Sequence, residues 1–265
     1  MLECNNIAIT RGNKRIIHDV SFTAQQGEFI VLLGENGAGK STLLSAICDD
    51  LTYSGEVLLH GQAINQLDSQ QLATKRAMLL QNNRVNFAFN AAELIAMGRY
   101  PYHETTLSQA EVVNDIVAQL SLEALADRDV TVLSGGEFQR VQFARCIAQL
   151  DAHKPGTSGK LMLLDEPTSA LDLHHQHMTL SKAKSFAEQG NTIIAVLHDL
   201  NLASLYADRI LLLHHGVIYH DGKPQDVLRP EVLQPIYRAG MQINLHPSFE
   251  IPMIFSEPLT GASNA

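Results

Sequence analysis

The chain has 265 residues, 45% of them hydrophobic and 18% charged, enough to bury a substantial core as one large or two modest domains. Its formal net charge of −9 argues against nucleic acid or anionic lipid as the main partner. The 3 cysteines, Cys4, Cys48 and Cys146, are widely spaced, give no disulfide or metal pattern and fit a reducing compartment. No apolar run approaches membrane-spanning length, and Met1 to Arg11 holds no signal-peptide core. A soluble, intracellular protein is expected, one that reaches a membrane only through another protein.

Leu2 to Thr10, Ile16 to Ala24 and Phe29 to Leu33 read as strands, with turns at Gly12-Asn13 and Gln26-Gly27. The third strand runs into Gly34-Glu35-Asn36-Gly37-Ala38-Gly39-Lys40-Ser41-Thr42, and Leu43, Leu44 and Ile47 follow at helical spacing. Strand, glycine loop, helix is the context a phosphate-binding loop requires. The glycines remove Cβ atoms that would hold backbone N–H groups away from an anion, and the helix start points its positive dipole end at the same place. Lys40 would reach the β- and γ-phosphates, and the Ser41 hydroxyl would hold Mg²⁺.

Ser54-Gly55 reads as a turn into a strand at Glu56 to Leu59, which His60-Gly61 ends. Asp68 to Ala73 reads as a short helix, and Ala77 to Leu80 as a buried strand ending at Gln81. From Asn82 the apolar positions take helical spacing: Ala91 to Met97 is one helix, and Ser108 to Leu120 another, opened by a capping box Ser108-x-x-Glu111. This block, about 82–150, reads as a helical subdomain inserted in the core. Asp151 to Lys160, rich in Pro, Gly, Ser and Thr, is expected to be an exposed loop. Leu161 to Leu164, Thr192 to Leu197 and Ile210 to Leu213 read as strands, with helices at Leu173 to Glu188 and Asn201 to Tyr206. Alternating strands and helices predict an α/β fold whose mostly parallel sheet is covered on both faces. In the tail, Asp226 to Leu228 and Glu231 to Ile236 look helical, and Gln242 to Leu245 and Ile251 to Phe255 look like short strands; no chemistry is legible there.

Two further stretches carry chemistry. Leu161 to Leu164 delivers Asp165 and Glu166 to the strand's C-terminal end, where ligands of α/β proteins bind. Beside a phosphate loop, Asp165 can hold Mg²⁺ through water, and Glu166 can accept a proton from an attacking water. Leu133-Ser134-Gly135-Gly136-Glu137 opens a helix with a Ser134/Glu137 capping box in a glycine-cleared space, which makes a second anion site. One phosphate loop with two anion-binding helix starts makes sense if the second closes over a nucleotide held by another subunit.

With these residues in place, the chain resembles the ATP-binding subunit of an ABC transporter over roughly 1–225, with 226–265 as a C-terminal extension. Gly34 to Thr42 matches the family's Walker A motif, Gln81 the Q-loop, Leu133 to Glu137 the signature and Leu161 to Glu166 Walker B. Ser169-Ala170-Leu171-Asp172 matches the D-loop and His198 the switch histidine. The resemblance implies a P-loop NTPase core, an N-terminal antiparallel β subdomain, and a head-to-tail homodimer. Two ATP molecules would be held there, each by Walker A of one chain and by Ser134, Gly135 and Gly136 of the other. It implies that Gln81 senses the Mg²⁺ and water, that His198 donates to the γ-phosphate, and that Asp172 belongs to the nucleotide site. Where the family stacks an aromatic residue on adenine, this chain has Thr10-Arg11-Gly12; Arg11 can stack its guanidinium there or serve as an ordinary turn residue.

His174-His175-x-His177 and His214-His215 resemble metal or haem ligands, but no cysteine or carboxylate joins them in a metal-site pattern, so a solvated surface is the simpler reading. Glu93 to Pro101 falls where the family's helical subdomain meets the permease, and its wording resembles importers of iron-siderophores, cobalamin and haem. Leu171 to Gln176, Leu197 to Ala203 and the 151–160 loop resemble bacterial haem importer ATPases. The implied protein sits at the cytoplasmic face of the bacterial inner membrane, on integral-membrane permease subunits, served indirectly by a periplasmic binding protein and never touching the cargo. The competing classes are the same role for a siderophore or cobalamin, and a soluble ABC-type ATPase uncoupled from transport. The latter usually carries coiled-coil insertions or two fused ATPase units, for which there is no sign here.

Overall fold

The computed structural model describes residues 1–81, 88–151 and 156–257. Positions 82–87, 152–155 and 258–265, which include the expected start of the helical block, part of the 151–160 loop and the end of the tail, lie outside the described residues. In chain order the elements are β1 (Leu2–Arg11), β2 (Lys14–Ala24), β3 (Phe29–Leu33), α1 (Lys40–Ile47), β4 (Ser54–Leu59), β5 (Gln62–Ala63), α2 (Ser69–Lys75) and β6 (Arg76–Leu79). The helical block follows with α3 (Ala91–Ala96), α4 (Thr106–Gln119) and α5 (Gly135–Gln149). Then come β7 (Leu161–Asp165), α6 (Leu173–Glu188), β8 (Thr192–Val196), α7 (Leu200–Tyr206), β9 (Arg209–His214) and β10 (Val217–Gly222). The tail holds α8 (Pro224–Val227), α9 (Pro230–Tyr237), β11 (Met241–Leu245) and β12 (Pro252–Ser256). No helix among the described residues is long and apolar enough to cross a membrane.

The chain forms two compact units. The first gathers Met1–Glu3, Thr23–Glu28 and Val57–Ala195. Its strands lie in the order β8-β7-β6, with β6 and β7 parallel and Ala77 opposite Met162. Every residue of β7 and β8 is buried, as expected of parallel strands covered on both faces. The helical block packs by its apolar stripes: Val112, Val113, Ile116 and Val117 of α4 point inward. A capping box of Asn90 and Glu93 starts α3. The expected Ser108-x-x-Glu111 box is not used. Thr105 offers the same hydroxyl acceptor earlier, taking the Ser108 N–H at 3.2 Å, and the helix begins at Thr106.

The loop before β7 is only partly exposed where it is described. Buried Asn191 accepts from Lys160 N–H at 2.9 Å and donates to the carbonyls of Thr157 (2.7 Å) and Phe186 (2.9 Å). One amide therefore satisfies three backbone groups where no strand or helix can. Lys160 itself donates to the Thr74 carbonyl at 2.7 Å.

The second unit gathers Cys4–Phe22, Phe29–Glu56 and Val196–Ala265. Here the order is β10-β9-β3, with β3 and β9 parallel, Leu33 opposite Leu212, and β9 and β10 antiparallel. β10 escapes sequence reading because its residues alternate exposed and half-buried and include His220 and Asp221. Ser54-Gly55, expected as a turn, lies inside β4. Gly55 has φ 96, and a Cβ there would strike the carbonyls of Asn5 and Asn6, so the glycine marks a close backbone approach. In the tail, β11 and β12 form an antiparallel pair, Ile243 opposite Ile254. The Asn201 amide clamps Ile254 from both sides, at 3.1 and 2.7 Å.

Arg99 is the most buried charge of the helical block, at 1% exposure. Its guanidinium donates to both oxygens of Glu104, to Asp151 Oδ1 at 2.5 Å and to the Ala148 carbonyl at 2.6 Å, and it lies 3.8 Å above the Tyr102 ring. Arg99→Met should cost about 3 kcal/mol, because it strands two part-buried carboxylates. Urea unfolding checks this, and an unmoved midpoint would show the network to be ornamental.

Candidate functional site

In the second unit, the loop after β3 closes on itself around Lys40. That side chain is buried, and its Nζ donates to the carbonyls of Gly34 (2.7 Å) and Glu35 (3.0 Å). The closure needs glycine. Gly34 sits at φ 143, where a Cβ would collide with the Leu213 carbonyl, and Gly39, which caps α1 at φ 103, would meet Ile17 Cδ1 at 2.5 Å. Asn36 and Gly37 are exposed, and Ser41 and Thr42 are half-buried in the first turn of α1. The glycine loop is thus closed, with its lysine seated against its own carbonyls.

His198 is exposed and lines an open pocket of about 420 Å³ with Gly34, Glu35, Asn36, Ile236, Tyr237 and Arg238. Two of these groupings were not foreseen. The Tyr237 hydroxyl accepts the Gly34 N–H at 3.1 Å, so the end of α9 braces the loop. Burial pushes that phenol up to about 12. Glu35 faces His214 and His215, with its Oε1 3.0 and 3.7 Å from their Nδ1 atoms. Arg11 is exposed at the end of β1, ahead of the Gly12 turn.

In the first unit, β7 ends on buried Asp165, and Glu166 follows at φ 51, left-handed backbone that costs a non-glycine residue about 1–3 kcal/mol. Its neighbours hold it there. Gln81, just past β6, donates to Glu166 Oε2 at 2.5 Å, while Gln139 of α5 and the Ser169 hydroxyl donate to the Glu166 carbonyl at 2.7 and 3.2 Å. Gln139 was not singled out from the sequence; its position one turn into the signature helix was the available signal. It also accepts the Ala170 N–H at 3.3 Å.

The signature helix begins as expected. The Ser134 hydroxyl accepts the Glu137 N–H at 3.3 Å, and the Glu137 carboxylate accepts the Ser134 N–H at 2.8 Å. That backbone hydrogen bond to Ser134, with Arg128 at 2.7 Å, pulls Glu137 down to about 2. Ser134 and Gly135 are exposed, while Gly136 sits where a Cβ would come 2.6 Å from the Ala170 carbonyl. Signature and D-loop are therefore packed together. Asp172, exposed, caps α6: it accepts from His175 N–H at 2.9 Å and meets His175 Nδ1 at 2.8 Å, and these contacts hold its carboxylate below the usual range. The expectation that no carboxylate joins the histidines in a metal-site pattern is corrected at His214 and His215, which share Glu35.

A mostly parallel sheet with an antiparallel N-terminal sheet, a closed phosphate loop, and an acid pair braced by a Q-loop glutamine and a signature helix define an ATP-binding cassette. The ABC transporter family matches residues 17–169, and the chain belongs to it. Among curated relatives, it is 44% identical to the hemin import ATP-binding protein HmuV of Plesiomonas shigelloides, covering 91% of this chain and 96% of that one. It is 40% identical to the protein of the same name from Idiomarina loihiensis, covering 97% and 98%. Among solved structures, a metal-chelate type ABC transporter in an inward-facing conformation matches with TM-score 0.79 and 25% identity, over 98% of both chains. The dimeric cassette MJ0796 in a post-hydrolysis state with ADP and Pi matches with TM-score 0.74 and 26% identity, over 84% of this chain and 98% of that one.

Tyr237→Phe removes the acceptor of the Gly34 N–H and should lower unfolding free energy by about 0.5–1.5 kcal/mol, read from the urea midpoint. The pH dependence has a definite sign. The folded-state value lies above the ordinary 10.0, so the phenol's linked stability is complete below pH 10 and is lost as pH rises towards 12. The Tyr237→Phe variant should lack that alkaline decline; sharing it would place its cause elsewhere.

Proposed function

We propose that this chain hydrolyses ATP as one half of a homodimer that drives haem import through a membrane permease. The observation that carries the reading is the phosphate loop locked around Lys40, in a chain 44% identical to a hemin import ATP-binding protein over nearly the whole length of both. Gly34, Glu35, Asn36, Gly37, Ala38, Gly39, Lys40, Ser41 and Thr42 bind the nucleotide's phosphates through backbone N–H groups and the lysine. Ser134, Gly135 and Gly136 of the second copy complete the site, next to Asp172, and Arg11 stacks on the base.

By the family resemblance, Mg²⁺, a hard cation served by oxygen ligands, would be held by the Ser41 hydroxyl, the Gln81 side-chain oxygen and the Asp165 carboxylate. When bound, the ion would neutralise charge on the phosphate oxygens. Glu166, its backbone fixed by Gln139 and its carboxylate by Gln81, takes a proton from the attacking water. His198 donates to the γ-phosphate as charge develops there. As a peripheral subunit on the cytoplasmic face of the inner membrane, the dimer would engage permease subunits and, through them, a periplasmic binding protein. Domain limits of 1–225 for the cassette, with a helical insert at about 82–150 and an extension at 226–265, go with this reading. A second cargo, another metal chelate such as a siderophore or cobalamin, is favoured by the 0.79 TM-score to a metal-chelate type transporter.

Glu166→Gln should leave ATP binding intact and slow turnover by about 10²–10⁴-fold, the worth of a general base. Phosphate release under saturating ATP measures it; near-normal turnover would put the base on another residue.

A further inference from the structure

We propose that Glu35, His214 and His215 form a binding site for a divalent transition metal of the zinc type. The topology of the second unit brings them together. β3 and β9 run parallel with Leu33 opposite Leu212, so Gly34-Glu35 and Leu213-His214-His215 leave the sheet at the same end. Consecutive residues of a strand point to opposite faces, which would separate the two imidazoles. His215, however, has φ 47, the left-handed start of the turn into β10, and the chain's reversal there swings its ring back beside its neighbour. The ring centroids lie 4.0 Å apart, and both Nδ1 atoms face the same Oε1 of Glu35, at 3.0 and 3.7 Å.

The donor set is two imidazole nitrogens and one carboxylate oxygen, with one ligand atom from each residue lying within 4.8 Å of the others. Nitrogen-rich sets of this kind select zinc, nickel, copper or ferrous iron over Mg²⁺ and Ca²⁺, which prefer oxygen. Ligands about 2.0–2.2 Å from a tetrahedral ion stand about 3.4 Å from each other, so the site has only to contract by about an ångström. His215 can supply that movement, because its side chain is 73% exposed. The same exposure leaves a side open for entry and for a water as fourth ligand.

Two further observations point to a ligand there. The Nδ1 atom of His214 is buried and makes no hydrogen bond in spite of the nearby carboxylate, an unmet need worth about 1–3 kcal/mol that a metal ion would satisfy. The turn is also rigidly mounted. Gly216 donates to the Ala38 carbonyl at 3.2 Å and accepts the His18 N–H at 2.8 Å, and a Cβ on it would overlap the Ile16 carbonyl. The histidines therefore stand on a scaffold tied to the phosphate loop. The third ligand, Glu35, belongs to that loop itself, so any effect of the metal on nucleotide affinity must be returned by nucleotide on metal affinity.

The test titrates Zn²⁺ alone into tag-free, nucleotide-free protein against a chromophoric chelator, with Co²⁺ absorption as a second readout. About one Zn²⁺ per chain is expected, with His214→Asn and His215→Asn each weakening it by about tenfold or more. A His174→Asn, His177→Asn double variant should bind as the parent does. The His215 side chain is exposed, so its variant should fold normally and keeps the test decisive should the His214 variant not. Absence of a stoichiometric Zn²⁺ in the parent, binding unaffected in the His215 variant, or binding lost only with His174 and His177 would each overturn the assignment.

Discussion

The structure depends on one constraint: a buried ammonium must be satisfied, and the loop that satisfies it must also leave its N–H groups turned toward an anion. Lys40 meets the first condition through the carbonyls of Gly34 and Glu35. An unpaired charge at that depth would be costly enough to unseat the loop. The second condition follows from the first. Once the carbonyls turn inward to the lysine, the loop reverses through backbone angles that only glycine tolerates at positions 34 and 39, which suits the proposed anion site. β3 delivers the loop, the end of β9 sets the wall against which Gly34 packs, and α1 begins where the loop ends.

The acid pair obeys a parallel logic in the first unit. Asp165 stays within the buried end of β7, while Glu166 leaves it through a left-handed turn. A strained residue persists only when its surroundings over-determine it, and here three side chains do so: Gln81 and Gln139 from distant segments, and Ser169 from the same turn. Two of them, the first and the last, lie in the segments that match the Q-loop and the D-loop. The residue proposed as the base is therefore positioned by side chains of both matched segments and of the signature helix.

What was legible in the sequence was what is local. The glycine loop, the Ser134 box and the buried runs Leu161 to Leu164 and Thr192 to Leu197 each declare themselves within a few residues, since propensity, capping and burial act at that range. The parts that escaped are products of tertiary placement. The Thr105 cap competes with Ser108 for the same role, and only the packed helix decides between them. β10 hides because a half-exposed edge strand needs no apolar alternation. Tyr237 and the pairing of Glu35 with His214 and His215 join segments far apart along the chain, and no spacing rule could have linked them. Gln139 lay within a recognised motif, yet its bond to the Glu166 carbonyl depends on a turn that the residue types do not reveal.

The central claim is that the fuel is clamped between the phosphate loop of one copy and the signature helix of another. The most direct measurement is the mass of the protein in solution by analytical ultracentrifugation, with and without ATP, in a Glu166→Gln background that preserves bound nucleotide. The account predicts a dimer only with ATP. It also predicts that adding Ser134→Arg, at an exposed position outside the phosphate loop, abolishes the dimer while a labelled ATP analogue still binds. An ATP-driven dimer that forms equally well with arginine at position 134 would contradict it.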